Sequence, residues 1–209
     1  MFGRKKDNAY DKYLLDSNKK TETVSKTDEK DGMFKRGAYF VTSLFGVGFA
    51  PFAPGTLASL LTIPIAWFIV LIGGARGILI SSLILFIIGY IFTAFVLQYI
   101  QEEDPSFIVI DEVVGQLLTF LLPVAIFISN ITPIKFNVTL QFYFFMYIGG
   151  FALFRFFDIV KPFQIGWIDK NVKGAMGIMA DDVAAALFAS ATLTVILLIY
   201  VISISIMRG

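Results

Sequence analysis

The chain of 209 residues contains no cysteine and no histidine. Without cysteine there is no disulfide framework, no thiolate nucleophile and no cysteine cage for a metal. Without histidine the commonest general base at neutral pH and the commonest transition-metal ligand are both gone, which leaves carboxylates, Lys, Arg and backbone groups to carry any chemistry. Charge is scarce as well: 16% of residues are charged against 57% hydrophobic. Beyond the first 36 residues only nine carboxylates remain, in three clusters: Glu102, Glu103, Asp104, Asp111 and Glu112; Asp158 and Asp169; and the adjacent pair Asp181 and Asp182. An ionisable side chain in lipid is costly and needs a partner, a water-filled cavity or a function, so this restricted distribution marks a functional site.

What is present points to a membrane. The mean hydropathy is +0.78, outside the range of ordinary soluble domains. Five apolar segments, roughly Leu57 to Ile72, Ile78 to Ile100, Val113 to Ser129, Val138 to Phe157 and Val183 to Met207, approach the length of about 17 to 25 residues that crosses a bilayer. The fold class is therefore all-α: a polytopic helical membrane protein with about five transmembrane helices. The stretch from Ala38 to Ala50 is too short to span comfortably and reads as a re-entrant or interfacial helix. Residues 1–36 hold ten Lys or Arg and seven acids, cannot build a core, and read as a flexible polar cytoplasmic tail; no secretory signal is visible behind Arg4, Lys5 and Lys6. Residues 37–209 read as one membrane-embedded domain.

With the tail inside and five crossings, 14 basic residues lie inside and three outside (Arg76, Lys135 and Arg208), in line with the positive-inside rule. The same arrangement places the stretches 51–56, 102–112 and 155–182 together at the cytoplasmic boundary. Each has a physical use. Pro51, Pro54, Gly55 and Thr56 precede a helix whose N-terminus could take an anion, with Thr56 as its cap; a simple capped turn is the alternative. Asp111 and Glu112 open the next span, pointing about 100° apart so that one need not face the site, and helix-dipole stabilisation would also explain them. Glu102, Glu103 and Asp104 read as a solvated loop face. Arg155, Asp158 and Lys161, spaced by three, share a helix stripe that Pro162 ends, and a bare ion-pair ladder is the alternative. A loop with Asp169, Lys173, Gly174 and Gly177 then leads to Asp181 and Asp182 at the next helix start. Cations beside carboxylates suit a phosphate with a bound metal, and hard oxygen ligands suit magnesium.

These stretches carry a resemblance. PFAPGT from Pro51, IDEVVGQ from Ile110, and FRFFDIVKP through DKNVKGAMGIMADDVAA resemble the bacterial phosphatidylglycerophosphatase A family, over most of the chain after about Gly46. The resemblance implies that residues 37–209 are a phosphatase domain that removes the terminal phosphate of phosphatidylglycerophosphate in a Mg2+-dependent step, at the inner face of the bacterial cytoplasmic membrane. Ala58, Gln164, Ala175 and Ala186 depart from residues frequent in the family; none of these removes a charged group.

Cysteine and histidine phosphatase mechanisms lack their nucleophiles here, and no DxDx[TV] motif is present, which leaves a metal route ahead of an aspartyl-phosphate one. The expected mechanism is in-line attack by a magnesium-bound water, with Arg155 and Lys161 stabilising the phosphoryl oxygens. The expected metal ligands are Asp111, Glu112, Asp158, Asp181 and Asp182, ranked above Asp169, with Glu102 and Glu103 dispensable. Pro54, Gly55, Thr56, Arg155, Lys161 and Lys173 are the expected substrate-binding residues; Asp111, Glu112, Arg155, Asp158, Lys161 and Asp182 the catalytic ones. Partners are a phospholipid substrate and the bilayer, with no nucleic acid, and an oligomer is allowed. The alternative is a small ion-coupled transporter or channel, which predicts carboxylates at mid-membrane.

Overall fold

Long apolar runs in lipid must satisfy every backbone N–H and C=O internally, which selects helices. The computed structural model describes residues 32–100, 102–129 and 139–208, and these form helices with no strand among them. Two compact units divide the chain, 1–38 and 39–209; in the first, the described residues 32–38 are helical. The tail expected over 1–36 lies largely outside the described residues, as does the loop around Lys135.

The principal helices are α1 (Pro54–Val96), α2 (Ile110–Thr119), α3 (Leu140–Val160), α4 (Gln164–Asn171) and α5 (Gly174–Arg208). Four stretches are long and apolar enough to cross a membrane: Pro54–Tyr99, Ile110–Ile128, Leu140–Val160 and Gly174–Met207. Straight, α1 would measure about 65 Å, twice the hydrocarbon thickness of about 30 Å. It is not straight. Gly74 leaves helical geometry (φ 55, ψ −142), and a Cβ on Gly77 would lie 3.1 Å from the Ile69 carbonyl oxygen, whereas eight residues of unbroken helix rise about 12 Å. The chain doubles back, so Gly55 in the first arm and Gly89 in the second both abut the start of α2, at Glu112 and Ile110. The two arms are the two spans expected over 57–72 and 78–100. At the hairpin, the Ala75 N–H donates to Ser129 Oγ at 3.0 Å, satisfying one of the donors that a helix start leaves free.

Helix α2 is the centre of the bundle. In the span that it opens, Ile110–Ile128, 67% of the most apolar stretch is buried, against 22%, 22% and 28% in the other three spans. Small residues let its neighbours approach. Gly55, Ala58, Ser59, Thr62 and Ala66 form the buried face of the first arm, and the hydroxyls of Ser59 and Thr62 donate to the carbonyls of Gly55 and Ala58 at 2.9 and 2.8 Å, so they pack without an unsatisfied group. After Thr119 the α-helix is interrupted, because Pro123 has no N–H to offer the Thr119 carbonyl; a short α-turn, Leu121–Pro123, and a π-helical turn, Val124–Ile128, complete the span.

Helices α2, α3 and α5 come close together at Gly115. A Cβ there would come within 2.5 Å of the Phe154 ring and 3.1 Å of the Asp182 carbonyl oxygen, and Phe154 is fully buried with no room to yield. Gly115→Ala is expected to lower thermal stability by about 1–3 kcal/mol, the usual range for overpacking, despite alanine's better helix propensity. Scanning calorimetry in detergent checks this, and trimming the ring with Phe154→Leu should restore part of the loss.

Local structure departs from the sequence-based expectation at several places. The segment expected as one helix over 38–50 is interrupted at 43–46, where Leu44, Phe45 and Gly46 adopt positive φ and Ser43 Oγ accepts the Gly46 N–H at 3.1 Å. Helix α3 ends at Val160, one residue before the expected end, and Lys161 takes a left-handed conformation (φ 46, ψ 54), since proline disfavours αR in the residue before it. The expected loop after Pro162 contains α4. Helix α5 begins at Gly174, so Asp181 and Asp182 lie two turns inside it rather than at its start.

Candidate active site

Helix α1 opens with Pro54 in its first turn after Ala53, and no side chain caps it. Proline suits this position because its missing N–H has no intrahelical partner to lose. Thr56, expected as the cap, lies inside the first turn and lines a cavity instead. Gly55 has no room for a side chain: a Cβ would collide with Glu112 Oε1 and lie 3.3 Å from Arg155 Nη1. The helix start, an acid and a cation from three elements thus meet at one point.

Asp111 and Glu112 occupy the first turn of α2, and α5 supplies Asp182. One carboxylate oxygen from each of the three lies within 4.8 Å of the others, so both members of the adjacent pair face the site, where geometry alone required one. Asp111 and Asp182 are buried. Asp111 Oδ1, Glu112 Oε2 and Asp182 Oδ2 are buried atoms with no hydrogen-bond partner, and Asp158 and Asp181 add further negative charge beside Asp182.

The cations are held differently from one another. Arg155 Nη1 lies 2.7 Å from Asp158 Oδ2, one turn along α3, a charge contact without hydrogen-bond alignment, and Arg155 Nε is buried without a partner. Lys161, turned off the α3 stripe by its left-handed backbone, donates to Asp169 Oδ1 at 2.5 Å and Asp181 Oδ2 at 2.6 Å. Partial burial alone would lower the Lys161 pKa, but the two carboxylates outweigh it and the net direction is upward. Lys173 pairs with Glu103 at 2.8 Å, both exposed; that hydrogen bond and charge lower the Glu103 carboxyl and raise the Lys173 ammonium.

These groups surround a cavity of about 520 Å³ whose lining draws on the PFAPGT turn, the start of α2, the end of α3 and the start of α5. Asp111, Glu112, Arg155, Asp158, Lys161, Asp169, Lys173, Asp181 and Asp182 all line it, together with Pro54, Gly55 and Thr56. Glu103 and Asp104, expected on a solvated loop face, also reach its rim. Asp104 is open to solvent on one side and enclosed on the other. Its carboxyl is raised, mainly by that enclosure, with Lys161 opposing and Asp169 and Asp158 adding to the shift. Ser106 and Ile159 were not anticipated. The signal for the 104–108 turn was Pro105, whose carbonyl accepts the Ile108 N–H at 2.9 Å and so turns the chain back toward α2.

Residues 40–197 match the profile of a family described as Phosphatidylglycerophosphatase A. The chain belongs to the phosphatidylglycerophosphatase A family. It is 36% identical over 149 residues to a Bacteroides thetaiotaomicron protein named as a putative phosphatidylinositol-3-phosphatase (69% of this chain, 84% of the relative). It is 33% identical over 145 residues to the phosphatidylglycerophosphatase A of Haemophilus influenzae (69% and 79%), and 29% identical over 149 residues to that of Escherichia coli (71% and 77%). No solved structure matches. Membership makes the chain a lipid phosphatase with helices long and apolar enough to cross a membrane, which leaves no support for the transporter reading.

Proposed function

We propose that this protein hydrolyses the terminal phosphomonoester of phosphatidylglycerophosphate, giving phosphatidylglycerol and inorganic phosphate, with Mg2+ held by Asp111, Glu112 and Asp182. The observation that carries the metal reading is the set of buried, hydrogen-bond-free oxygens on those three carboxylates, all within 4.8 Å. Three like charges gathered out of water are strongly unfavourable without a counter-charge, and all-oxygen donors suit a hard divalent cation. When bound, the cation supplies Lewis-acid polarisation and charge neutralisation at the phosphoryl group.

The remaining roles belong to side chains. Arg155, with donors not aligned to Asp158, binds the phosphoryl oxygens, and the uncapped start of α1 at Gly55 offers backbone N–H groups to the same anion. Asp158 orients Arg155. Lys161, hydrogen-bonded to Asp169 and Asp181, ties α4 to α5 and keeps the cavity wall in place, while Lys173 meets the headgroup at the rim. In the reaction a water oxygen bonds to phosphorus as the P–O ester bond breaks, and the proton lost by water ends on the departing alcohol. The excess of basic residues on the tail side supports a cavity facing the cytoplasm at the inner membrane of a bacterium.

Purified protein assayed for phosphate release from phosphatidylglycerophosphate should lose activity in excess chelator, regain it with Mg2+ and ignore thiol reagents. Full activity in chelator would remove the metal reading. Phosphatidylinositol 3-phosphate belongs in the same assay, because a 36% identical relative carries that substrate in its name; faster turnover of that lipid would reassign the headgroup while leaving the chemistry unchanged.

A further inference from the structure

A lipid phosphatase must hold a charged headgroup and two acyl chains at once, so its polar cavity needs an apolar way out. Among the described residues lining the cavity, Ile159 is the one large apolar side chain that is exposed, at 69%. The other branched apolar lining residues turn inward: Ile108 and Ile178 are buried and Val172 is partly so. Ile159 stands beside Asp158 and two residues from Lys161, where an aliphatic chain facing water would have no purpose.

On the outside, Ile159 continues a stripe. Phe145, Ile148, Ala152, Phe156 and Ile159 recur on α3 at steps of three or four, which places them along one helix face, and all five are exposed. Fourteen residues of helix rise about 21 Å, enough to cover the hydrocarbon of one leaflet, half of about 30 Å. Past the end of α3, Phe163 (83%) and Trp167 (62%) at α4 are also exposed, and tryptophan is an aromatic side chain that settles at the headgroup level. Phe163 stands at the start of α4 on positive-φ backbone (φ 50) with its side chain exposed, where a bilayer would give it acyl surroundings.

We propose that the cavity opens sideways into the bilayer across Ile159, so that the diacylglycerol part of the substrate lies against the α3 stripe while the terminal phosphate reaches Arg155 and the acidic cluster. This deepens the lipid phosphatase reading and rests on it. Ile159 is a specificity-determining residue, separating long-chain membrane lipids from water-soluble phosphomonoesters of the same headgroup.

Two measurements test this. In the first, kcat/KM is compared for dioleoyl phosphatidylglycerophosphate in vesicles and for a soluble dibutanoyl analogue. Ile159→Trp is expected to reduce the long-chain value at least tenfold more than the short-chain value, and Leu83→Trp, equally lipid-facing on α1 but away from the cavity, should leave their ratio unchanged. An equal loss on both substrates, or no loss on either, overturns the proposal. The second measurement does not need turnover: phosphatidic acid with a photoreactive group near the start of one acyl chain, in phosphatidylcholine vesicles, should label residues 156–163, and Ile159→Trp should abolish that label. Uniform labelling of all lipid-facing helices, or cross-links to a second copy of the chain at this stripe, would refute it. Failure of the wild type to hydrolyse either lipid would instead refute the functional reading, and the labelling pattern would still decide the portal.

Discussion

Asp182→Asn is expected to move activity and stability in opposite directions. Activity should fall by about 100-fold or more, the cost typical of removing a charged element of a preorganised site. Stability in chelator should rise or hold, because the amide keeps the shape of the side chain while removing one of three carboxylates that repel one another across less than 4.8 Å. Mg2+ provides the converse reading. A ligand that binds only the folded state stabilises it by about 2.7 kcal/mol at 100 times its dissociation constant, so wild-type protein should melt higher with Mg2+ than with chelator, and the variant should lose most of that difference. Glu102→Gln, on an exposed residue outside the cavity lining, should do neither. A wild-type melting temperature indifferent to Mg2+, or normal phosphate release from Asp182→Asn, would place the metal elsewhere.

Much of this arrangement was legible in the sequence because desolvation acts on long segments. Apolar runs of membrane length must be helices, and the Gly73–Gly74 interruption divides 43 helical residues into two arms whether or not the backbone is drawn as one helix. The convergence of the motifs on one cavity was legible for a related reason: charges are tolerated only where the bundle meets water, so the same rule that spaces the spans gathers the acids. What escaped depends on short-range competition or on distant partners. Hydropathy puts the start of α5 later than Gly174 because Asp181 and Asp182 count against it, although carboxylates that project into a cavity do not disturb the helix carrying them. Helix α4 was hidden by its eight-residue length and mixed composition. Lys161 left the stripe of Arg155 and Asp158 through a left-handed turn that lysine itself does not favour, and its partners Asp169 and Asp181 lie 8 and 20 residues away, beyond the reach of any local pattern. The exposed rim position of Asp104, enclosed only on its cavity side, is equally a product of tertiary packing.

That turn separates the two cations, which spacing alone made equivalent, and yields the second large effect. Arg155 has buried donors without partners, whereas Lys161 has its ammonium occupied by two carboxylates at 2.5 and 2.6 Å. Arg155→Ala is therefore expected to lower kcat by about 100- to 1000-fold, the usual cost of deleting a donor aimed at developing charge, and Arg155→Lys should recover little because one ammonium cannot reproduce a planar fork on a phosphoryl group. Removing Asp158 as well separates the roles. If Arg155 served only to neutralise Asp158, the Arg155→Ala, Asp158→Ala double variant would regain turnover; with Arg155 on the substrate phosphate it regains stability alone. Lys161→Ala should show the reverse balance, a clear fall in melting temperature as Asp181, mostly buried, is left without its cation, with a smaller loss of kcat in the fraction that remains folded. Paired measurements of melting temperature and single-turnover phosphate release on the four variants decide it, and a stability loss at Arg155 larger than that at Lys161, with turnover preserved, would exchange the two roles.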